Sequence, residues 1–417
     1  MNIGFVSTRL AGTDGVSLET AKLATILRRM GHQVFYCAGE LDPDGPPGLL
    51  APEMHFAHPR ARRIHDEAFA PPAPTDLRER IAAMATDLRG ALATFVDRFS
   101  VDALFPQNAL AIPMHVPLGV ALTDFIAETR IPTLAHHHDF YWERSRFAST
   151  AVPDILERCF PPDLPSIHHL VINSLAQEAL VQRRGVHAWI LPNVFDFETP
   201  PPAPDPFNAD LRATLGLPPD NWLILQPTRV VPRKGIELAI ELLRRLDDPR
   251  LTLLITHPAG DEGMGYLRSL QNLAHQAGVD LRYAAERFSI TRHVAPDGTK
   301  TYSLWDAYVQ ADFVTYPSFI EGFGNALLET VYFHLPALVN RYPVYVADIA
   351  PLGFDLVEIE GEVTDEVVDG VRRLLDDPTR RREMAEHNFA LARRYFSYIA
   401  AESRLREVLD MIVFGRA

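Results

Sequence analysis

The sequence lacks several features that mark whole classes of proteins. Its 417 residues include only two cysteines, Cys37 and Cys159, too few for a disulfide framework or a thiolate metal site. A reducing compartment, the cytoplasm, suits such a chain. No apolar run approaches the roughly 20 residues of a membrane-spanning helix, so we expect no transmembrane segment. The run Met1–Ser7 has a strand pattern and no basic flank, so we expect no signal peptide.

Positive charge is also scarce. The chain has 40 Lys and Arg against 54 Asp and Glu, which gives a net charge of −14 at pH 7. Nucleic acids and anionic membranes bind basic surfaces, so we expect neither as a partner. No basic amphipathic helix suited to membrane docking stands out in the first half. Hydrophobic residues make up 47% of the chain, the share of a globular protein, and the length has room for two domains.

Strand and helix patterns alternate along the first half of the chain. Asn2–Ser7 and Val34–Cys37 are short apolar runs typical of buried strands, and Val16–Met30 between them has helical apolar spacing. A strand, a helix and a second strand in this order predict a parallel sheet. The turn before the helix contains Gly12 and Gly15, which do not form the GxGxxG dinucleotide motif.

The alternation starts again in the second half, with an apolar run at Trp222–Pro227. Between the halves, Thr199–Pro206 is a proline-rich segment that cannot join a sheet interior and has the stiffness of a linker. The sequence therefore predicts an α/β protein with two Rossmann-like, doubly wound parallel-sheet domains, residues 1–196 and 197–396. We expect residues 397–417 to pack back on the first domain.

Two stretches have no clear helix or strand pattern. Residues 41–74 are rich in proline, and residues 285–302 show neither helical spacing nor alternation. We expect both to be long surface loops, which in compact domains are often functional.

The stretch Tyr316–Thr330 predicts a ligand site. It combines a buried strand, Phe313–Pro317, with a glycine-bearing loop and a helix that begins near Asn325. Backbone N–H groups at a helix start attract anions, whereas the flanking carboxylates of Glu321 and Glu329 suit hydroxyl groups. A nucleotide sugar offers a diphosphate and hydroxyls together. The alternative is a plain strand–loop–helix packing unit with two solvated glutamates.

A basic turn follows the first strand of the second half. Arg229, Arg233 and Lys234 precede an amphipathic helix at Ile236–Leu246. Side-chain charge and helix dipole would then favour the same ligand, a diphosphate.

Three histidines stand at the end of a predicted strand in the first half. His136, His137 and His138 are followed by Asp139, at the sheet edge where open parallel sheets bind ligands. Imidazole titrates near neutral pH and can move a proton or bind a sugar hydroxyl. Two alternatives remain: histidines packed beneath the ligand, and a metal site, although adjacent strand residues point to opposite faces.

Other polar residues of the first half are candidates for the acceptor. We place His136, His137, Asn108 and Arg144 on the acceptor side. For Arg144 and Arg146, a solvated charged face is the first interpretation, and an anionic acceptor group is the second.

The whole chain resembles the GT-B glycosyltransferases, in particular the retaining enzymes of glycosyltransferase family 4. That family has two Rossmann-like domains that face a central cleft, and a C-terminal helix that crosses back to the first domain. The features that carry the resemblance are Gly15 with its helix ending at Gly31-His32, His138-Asp139 at a strand end, Pro192-Asn193, Arg229 with Lys234 five positions on, and Glu321-Gly-Phe-Gly with Glu329.

The resemblance implies roles for these residues. Arg229 and Lys234 would bind the diphosphate of the donor and stabilise the leaving group, Glu329 would bind the ribose, and Glu321 the hexose. The family's strand-end histidine maps best onto His138, with His136 and His137 as rival assignments, and would contact the donor sugar near the β-phosphate. The donor-binding residues implied are Gly15, Arg229, Lys234, Glu321, Gly322, Phe323, Gly324, Asn325 and Glu329. The catalytic set implied is His138, Glu321, Arg229 and Lys234, with no metal and no cofactor.

The expected function is therefore retaining transfer of a hexose from a nucleotide sugar to a hydroxyl of a small, soluble acceptor. Alternatives are a sugar-nucleotide epimerase of the same fold and a non-catalytic sugar-nucleotide-binding protein. The chain departs from the family at Thr256–Pro258 and Asn340–Tyr345, where many members have glycine-rich turns. These departures leave the donor base open among uracil, guanine and adenine; the oligomeric state is open as well.

Overall fold

The computed structural model describes residues 1–12, 14–260 and 263–414, with side chains as far as residue 411. The chain divides into two compact units. The first unit comprises Met1–Val194 and the last helix, and the second comprises Phe195–Ser397. The chain leaves the first unit after Val194 and returns to it after Ser397. The predicted border lay at residues 196 and 197.

The first unit is built on a parallel sheet. Its seven strands, counted over the described residues, are β1 (Asn2–Val6), β2 (Gln33–Ala38), β3 (Gly48–Leu50), β4 (Ala103–Pro106), β5 (Thr133–His137), β6 (Ile167–Val171) and β7 (Ala188–Ile190). They follow the order β3-β2-β1-β4-β5-β6-β7, and neighbouring strands are parallel. Crossover helices bury both faces of such a sheet, which is why β1 and β4 at its centre are almost wholly apolar.

Helices cover both faces of this sheet. They are α1 (Gly15–Arg29), α2 (Pro59–Ala68), α3 (Leu77–Phe99), α4 (Val116–Thr129), α5 (Pro153–Cys159) and α6 (Ser174–Arg184). Neighbouring residues of β1 lie in different core clusters: Phe5 packs with Leu23 of α1, whereas Val6 packs with Leu88 of α3. This is the alternation expected of a strand buried on both sides.

The last helix, Tyr398–Phe414, packs against the first unit. Ala401, Leu405 and Val408 are buried in the same cluster as Leu23. The guanidinium of Arg29 lies 5.1 Å from the centre of the Tyr398 ring. No helix in the described ranges is both long and apolar enough to cross a membrane.

The expectation of a long loop at residues 41–74 was wrong in two places. β3 adds an edge strand to the sheet, and α2 begins with Pro59 at its first turn, where proline needs no hydrogen-bond partner. Ala61, Ile64 and Ala68 are the buried stripe of α2. The helix is short and its buried residues are mostly small, so its apolar period is weak in the sequence.

The second unit repeats the architecture. Its remaining elements are β8 (Trp222–Gln226), β9 (Leu251–Ile255), β10 (Asp280–Tyr283), β11 (Phe288–Ser289), β12 (His293–Val294), β13 (Lys300–Ser303), β14 (Phe313–Tyr316), β15 (Ala337–Asn340) and β16 (Val357–Ile359). The helices of this unit are α7 (Leu211–Thr214), α8 (Ile236–Leu246), α9 (Gly265–Ala277), α10 (Leu304–Gln310), α11 (Asn325–Tyr332), α12 (Asp365–Asp376) and α13 (Pro378–Phe396). The last helix of the chain, which belongs to the first unit, is α14. Within the described chain, six parallel strands follow the order β10-β9-β8-β14-β15-β16. The predicted class of two Rossmann-like parallel sheets is confirmed.

The expectation of a second long loop, at residues 285–302, was also wrong. It contains a small three-stranded sheet in the order β11-β13-β12. Gly298, at φ 84°, closes the turn between β12 and β13, and the amide of Ala295 donates to the carbonyl of Thr299 at 2.8 Å. Arg292 ties this sheet to Asp306 on α10. Strands of two to four residues are too short to show an alternating pattern.

Candidate active site

In the second unit, a turn after β8 brings several cations together. β8 ends at Gln226, Arg229 is exposed, and a 3₁₀ turn spans Pro232–Lys234 before α8. Gly235 joins the turn to α8 at φ 58°, and a Cβ there would lie 2.5 Å from the carbonyl oxygen of Pro317. Only glycine allows the basic turn to approach the end of β14 so closely.

Lys234 forms an ion pair with Glu321, which the sequence did not reveal. Only 7% of the Lys234 surface is exposed, and its ammonium contacts the Glu321 carboxylate. Arg233 lies on the other side of that carboxylate, with Nη1 3.7 Å from Oε2. Burial lowers the pKa of Lys234, and the charge of Glu321 opposes the shift. The two residues predicted to bind diphosphate and hexose therefore lie side by side.

The glycine-bearing loop between β14 and α11 is held from beneath by a tyrosine. The buried Tyr342 hydroxyl donates to the carbonyl of Phe323 at 2.7 Å. Gly324 has φ 131°, and a Cβ there would lie 2.5 Å from the same hydroxyl. Gly322 is exposed, whereas Phe323 is buried and packs against Phe396, with ring centres 5.2 Å apart. The loop is thus a fixed backbone surface, and α11 begins at Asn325 directly after it.

Glu329 lies one turn into α11 and is oriented by a residue that the sequence did not suggest. The fully buried Tyr308 of α10 donates its hydroxyl to Glu329 Oε2 at 3.1 Å. Burial and then the charge of Glu329 raise the pKa of Tyr308 well above its usual value, so the tyrosine remains a donor. A carboxylate fixed in this way is suited to accept hydrogen bonds from vicinal hydroxyls.

His257 is a second residue to which sequence reasoning assigned no role, although it lies in the stretch Thr256–Pro258 that departs from the family. It follows β9, and because Ile255 of β9 is paired with Gln226 of β8, the basic turn follows on the neighbouring strand. Burial and then the charges of Lys234 and Arg229 lower the pKa of His257 to about 4. The imidazole is therefore neutral at pH 7. The order of the two strands in the sheet, which the sequence does not state, was the missing information.

In the first unit, the three histidines differ in burial. His136 and His137 are each 1% exposed, and His138 is the most accessible of the three. His136 Nδ1 lies 3.0 Å from Gln107 Oε1, and His137 Nε2 shares a hydrogen bond of 2.8 Å with His169. Side chains so deeply packed have almost no surface for an acceptor. The acceptor role predicted for His136 and His137 therefore receives no support from this geometry.

His138 is bound into a polar network with other predicted residues. Its amide donates to Asn108 Oδ1 at 3.0 Å, and Asn108 Nδ2 donates to Asp139 Oδ1 at 2.8 Å. Arg144 pairs with the other oxygen of Asp139. His138 Nε2 lies 3.3 Å from Gln107 Oε1. The structure thus brings Asn108, His138 and Arg144 together at one edge of the first sheet.

α1 contributes a buried ion pair near His138. Glu19, 1% exposed, lies 3.0 Å from the ammonium of Lys22 and accepts a 3.0 Å hydrogen bond from the amide of Val194. Lys22 also donates to the Val194 carbonyl at 2.7 Å. Burial and then the charge of Lys22 lower the pKa of His138 to about 4, so His138 is neutral at pH 7.

The start of α1 offers little to a phosphate. Asp14 caps the helix, and its Oδ1 accepts from the amides of Val16 and Ser17, both at 3.1 Å. Gly15 is exposed, and a Cβ there would meet no atom within 4 Å. The negative cap and the occupied amides disfavour an anion here, so the donor role predicted for Gly15 receives no support from this geometry. Across the described residues, no three His, Cys, Asp or Glu side chains are grouped so as to hold a metal ion.

Comparison with known proteins places this site in a family. Residues 207–390 match the family described as "Glycosyl transferases group 1". A mannosylglucosylglycerate synthase of Petrotoga mobilis is 33% identical, over 86% of each chain, and one of Thermotoga maritima is 32% identical over 98% of this chain and 100% of its own. The chain belongs to the group 1 glycosyltransferases. The solved structure of Anabaena Alr3699/HepE in complex with UDP and glucose has a TM-score of 0.68 at 15% identity and covers 98% of this chain and 99% of its own. That likeness shows the GT-B fold.

One residue of this glycosyltransferase gives a direct test of the loop geometry. Gly324→Ala is expected to lower the free energy of unfolding by about 2 kcal/mol or more, because φ near 131° is strained for alanine and its Cβ collides with Tyr342. Chemical denaturation measures the change. Gly90→Ala in α3, where a Cβ meets nothing within 4 Å, is the matched control and is expected to stabilise by about 0.5–1 kcal/mol. Equal stability of Gly324→Ala and the native protein would contradict a rigid loop.

Proposed function

We propose that this glycosyltransferase transfers a mannosyl group from a nucleotide-diphosphate donor to a hydroxyl of glucosylglycerate, with retention of anomeric configuration. The two relatives that match most of the chain carry a name with a mannosyl, a glucosyl and a glycerate part. Glucosylglycerate is a small polar acceptor, the class expected from the sequence. The observation that carries the proposal is the buried Lys234, paired with Glu321 beside the exposed Arg229.

In the proposed reaction, the bond between the anomeric carbon and the diphosphate oxygen breaks, and a bond to the acceptor oxygen forms on the same face. The acceptor proton passes to the leaving diphosphate. Lys234 and Arg229 stabilise the negative charge that develops there, because pre-positioned donors at such a charge act mainly on the transition state. Glu329, fixed by Tyr308, binds the ribose hydroxyls. We assign charge neutralisation to these cations rather than to a bound metal.

Two measurements test the proposal. A thermal-shift screen with UDP, GDP, ADP and their mannose and glucose derivatives identifies the donor, since a ligand that binds the native state raises its apparent stability. The stabilising nucleotide sugar is then incubated with glucosylglycerate. We expect one mannosylated product per nucleotide released, the anomeric configuration of the donor in its NMR spectrum, and an unchanged rate in EDTA.

The same experiment separates the alternatives. Nucleotide release without any acceptor would indicate the epimerase, and tight binding without turnover would indicate a binding protein. A product of inverted configuration would contradict the proposed same-face transfer. Complete loss of rate in EDTA, restored by a divalent cation, would contradict the role given to Lys234 and Arg229.

A further inference from the structure

The loop between β5 and α5 contains two arginines that differ in their contacts with carboxylates. Arg144 is engaged by Asp139, which also accepts a hydrogen bond from Asn108. Arg146 has no carboxylate within ion-pair distance in the described part of the protein. Its Nη2 lies 3.0 Å from the sulfur of Met114, and its guanidinium lies 4.6 Å from the centre of the Phe147 ring.

These contacts orient Arg146 and use little of its hydrogen-bonding capacity. A thioether is a weak acceptor and a phenyl face accepts no conventional hydrogen bond, whereas a guanidinium has five N–H donors in a planar fork. Such a fork, held close to an aromatic ring, matches the two oxygens of a carboxylate. The indole Nε1 of Trp142 is a second donor in this loop that is buried and has no hydrogen-bond partner among the described residues.

The charges around Arg146 also favour an anion. Asp139 and Arg144 act on Arg146. The other charged groups around this loop are Glu143 and Arg183, and the Arg183 guanidinium lies 5.5 Å from the centre of the Trp142 ring. The two carboxyls, Asp139 and Glu143, are outnumbered by three arginines, Arg144, Arg146 and Arg183. The negative charge of Asp139 is balanced by its ion pair with Arg144. The balance at the loop is therefore positive, although the protein as a whole is strongly negative.

We propose that Arg146, assisted by Arg144, binds the carboxylate of the acceptor. The inference rests on the proposed function and extends it, because it assigns the charged end of the acceptor to a particular side chain. The site lies at the carboxyl end of β5, in the same loop as His138, where open parallel sheets bind their ligands. A glyceric acid group supplies the anion, and a sugar hydroxyl supplies the nucleophile.

The test compares two acceptors that differ only in charge. Glucosylglycerate carries a carboxylate where glucosylglycerol carries a hydroxymethyl group. For the unaltered enzyme, we expect kcat/KM to favour glucosylglycerate by about 10- to 100-fold, the range of a charge-assisted hydrogen bond. In Arg146→Met this preference is expected to fall to about threefold or less, while the rate with glucosylglycerol stays close to that of the unaltered enzyme. Arg146→Lys is expected to keep part of the preference.

Arg60→Met is the matched control. Arg60 lies on α2 in an exposed ion pair with Asp87, which contributes little to stability. It is expected to keep the full preference. An Arg146→Met enzyme with an unchanged preference, or an unaltered enzyme that uses both acceptors equally, would overturn this inference alone. Transfer to neither acceptor by the unaltered enzyme would overturn the proposed function, and the inference with it.

Discussion

Replacement of Lys234 by alanine is expected to lower kcat by about 100-fold or more and to weaken nucleotide binding. Removal of one donor to a developing negative charge typically costs 10²–10³ in kcat, and a hydrogen bond to a charged group contributes about 1.5–3 kcal/mol to binding. Lys234 is buried and fixed by Glu321, so its ammonium is held at one position beside the loop. Steady-state kinetics with the donor found in the screen, together with calorimetric nucleotide titration, measure both effects.

The ion pair complicates this substitution, because alanine leaves the Glu321 carboxylate buried without its lysine. Removal of one partner of a buried ion pair destabilises a protein by about 3–5 kcal/mol, and less is expected here because Arg233 remains beside the carboxylate. The double variant Lys234→Met/Glu321→Gln removes both charges and is expected to fold better than Lys234→Ala while remaining equally inactive. Lys300→Met, which removes a lysine paired with Asp210 in the same unit, is the control and is expected to keep native kinetics. Native kinetics in a well-folded double variant would contradict the phosphate role.

The sequence predicts two parallel sheets but not the order of their strands, and the prediction of the donor site has the same limit. Strand runs and helical spacing were enough for two parallel sheets, because both signals are local. The positions of Glu321 and Glu329 relative to α11 could be predicted from local signals as well, since a glycine-bearing loop and the start of the helix fix them. The contact of Lys234 with Glu321 is not local. It depends on β8 and β14 being neighbours, although 87 residues separate the two side chains in the chain.

The missed residues have the same explanation. Tyr308 orients Glu329 from another helix, and His257 joins the cations from the neighbouring strand. Neither residue belongs to a short motif, and in the sequence each has the appearance of an ordinary core or loop side chain. The small sheet at residues 288–303 was missed for a different reason: its strands have too few residues for a period.

The histidine run shows what alternation can and cannot decide. Adjacent strand residues point to opposite faces, so His137 was separable from His136 and His138 in principle. His136 and His138 do share a face, with ring centres 4.5 Å apart. The two side chains differ in burial: His136 lies within β5 and is buried, whereas His138 lies just beyond the end of β5 and is partly exposed. The end of a strand is known from sequence only to within a few residues, so this choice needed the structure.

His138→Ala is the second substitution with a large expected effect. We expect kcat to fall by about 100-fold while nucleotide affinity changes less than about twofold, because His138 is assigned to the sugar and not to the nucleotide. Single-turnover kinetics and nucleotide titration separate the two quantities. His187→Ala, an exposed histidine of the same unit, is the control and is expected to behave as the unaltered enzyme.

Two further measurements distinguish a chemical role of His138 from a packing role. His138→Gln places an amide where the imidazole Nε2 contacts Gln107, so packing is largely kept and turnover is still expected to fall. The pH profile gives the second measurement. Because the pKa of His138 is lowered to about 4, the group is neutral from pH 8 to pH 5, and its protonation is expected to reduce kcat only near pH 4 and not near its usual 6.5. Native turnover in both His138 variants would assign the residue to packing.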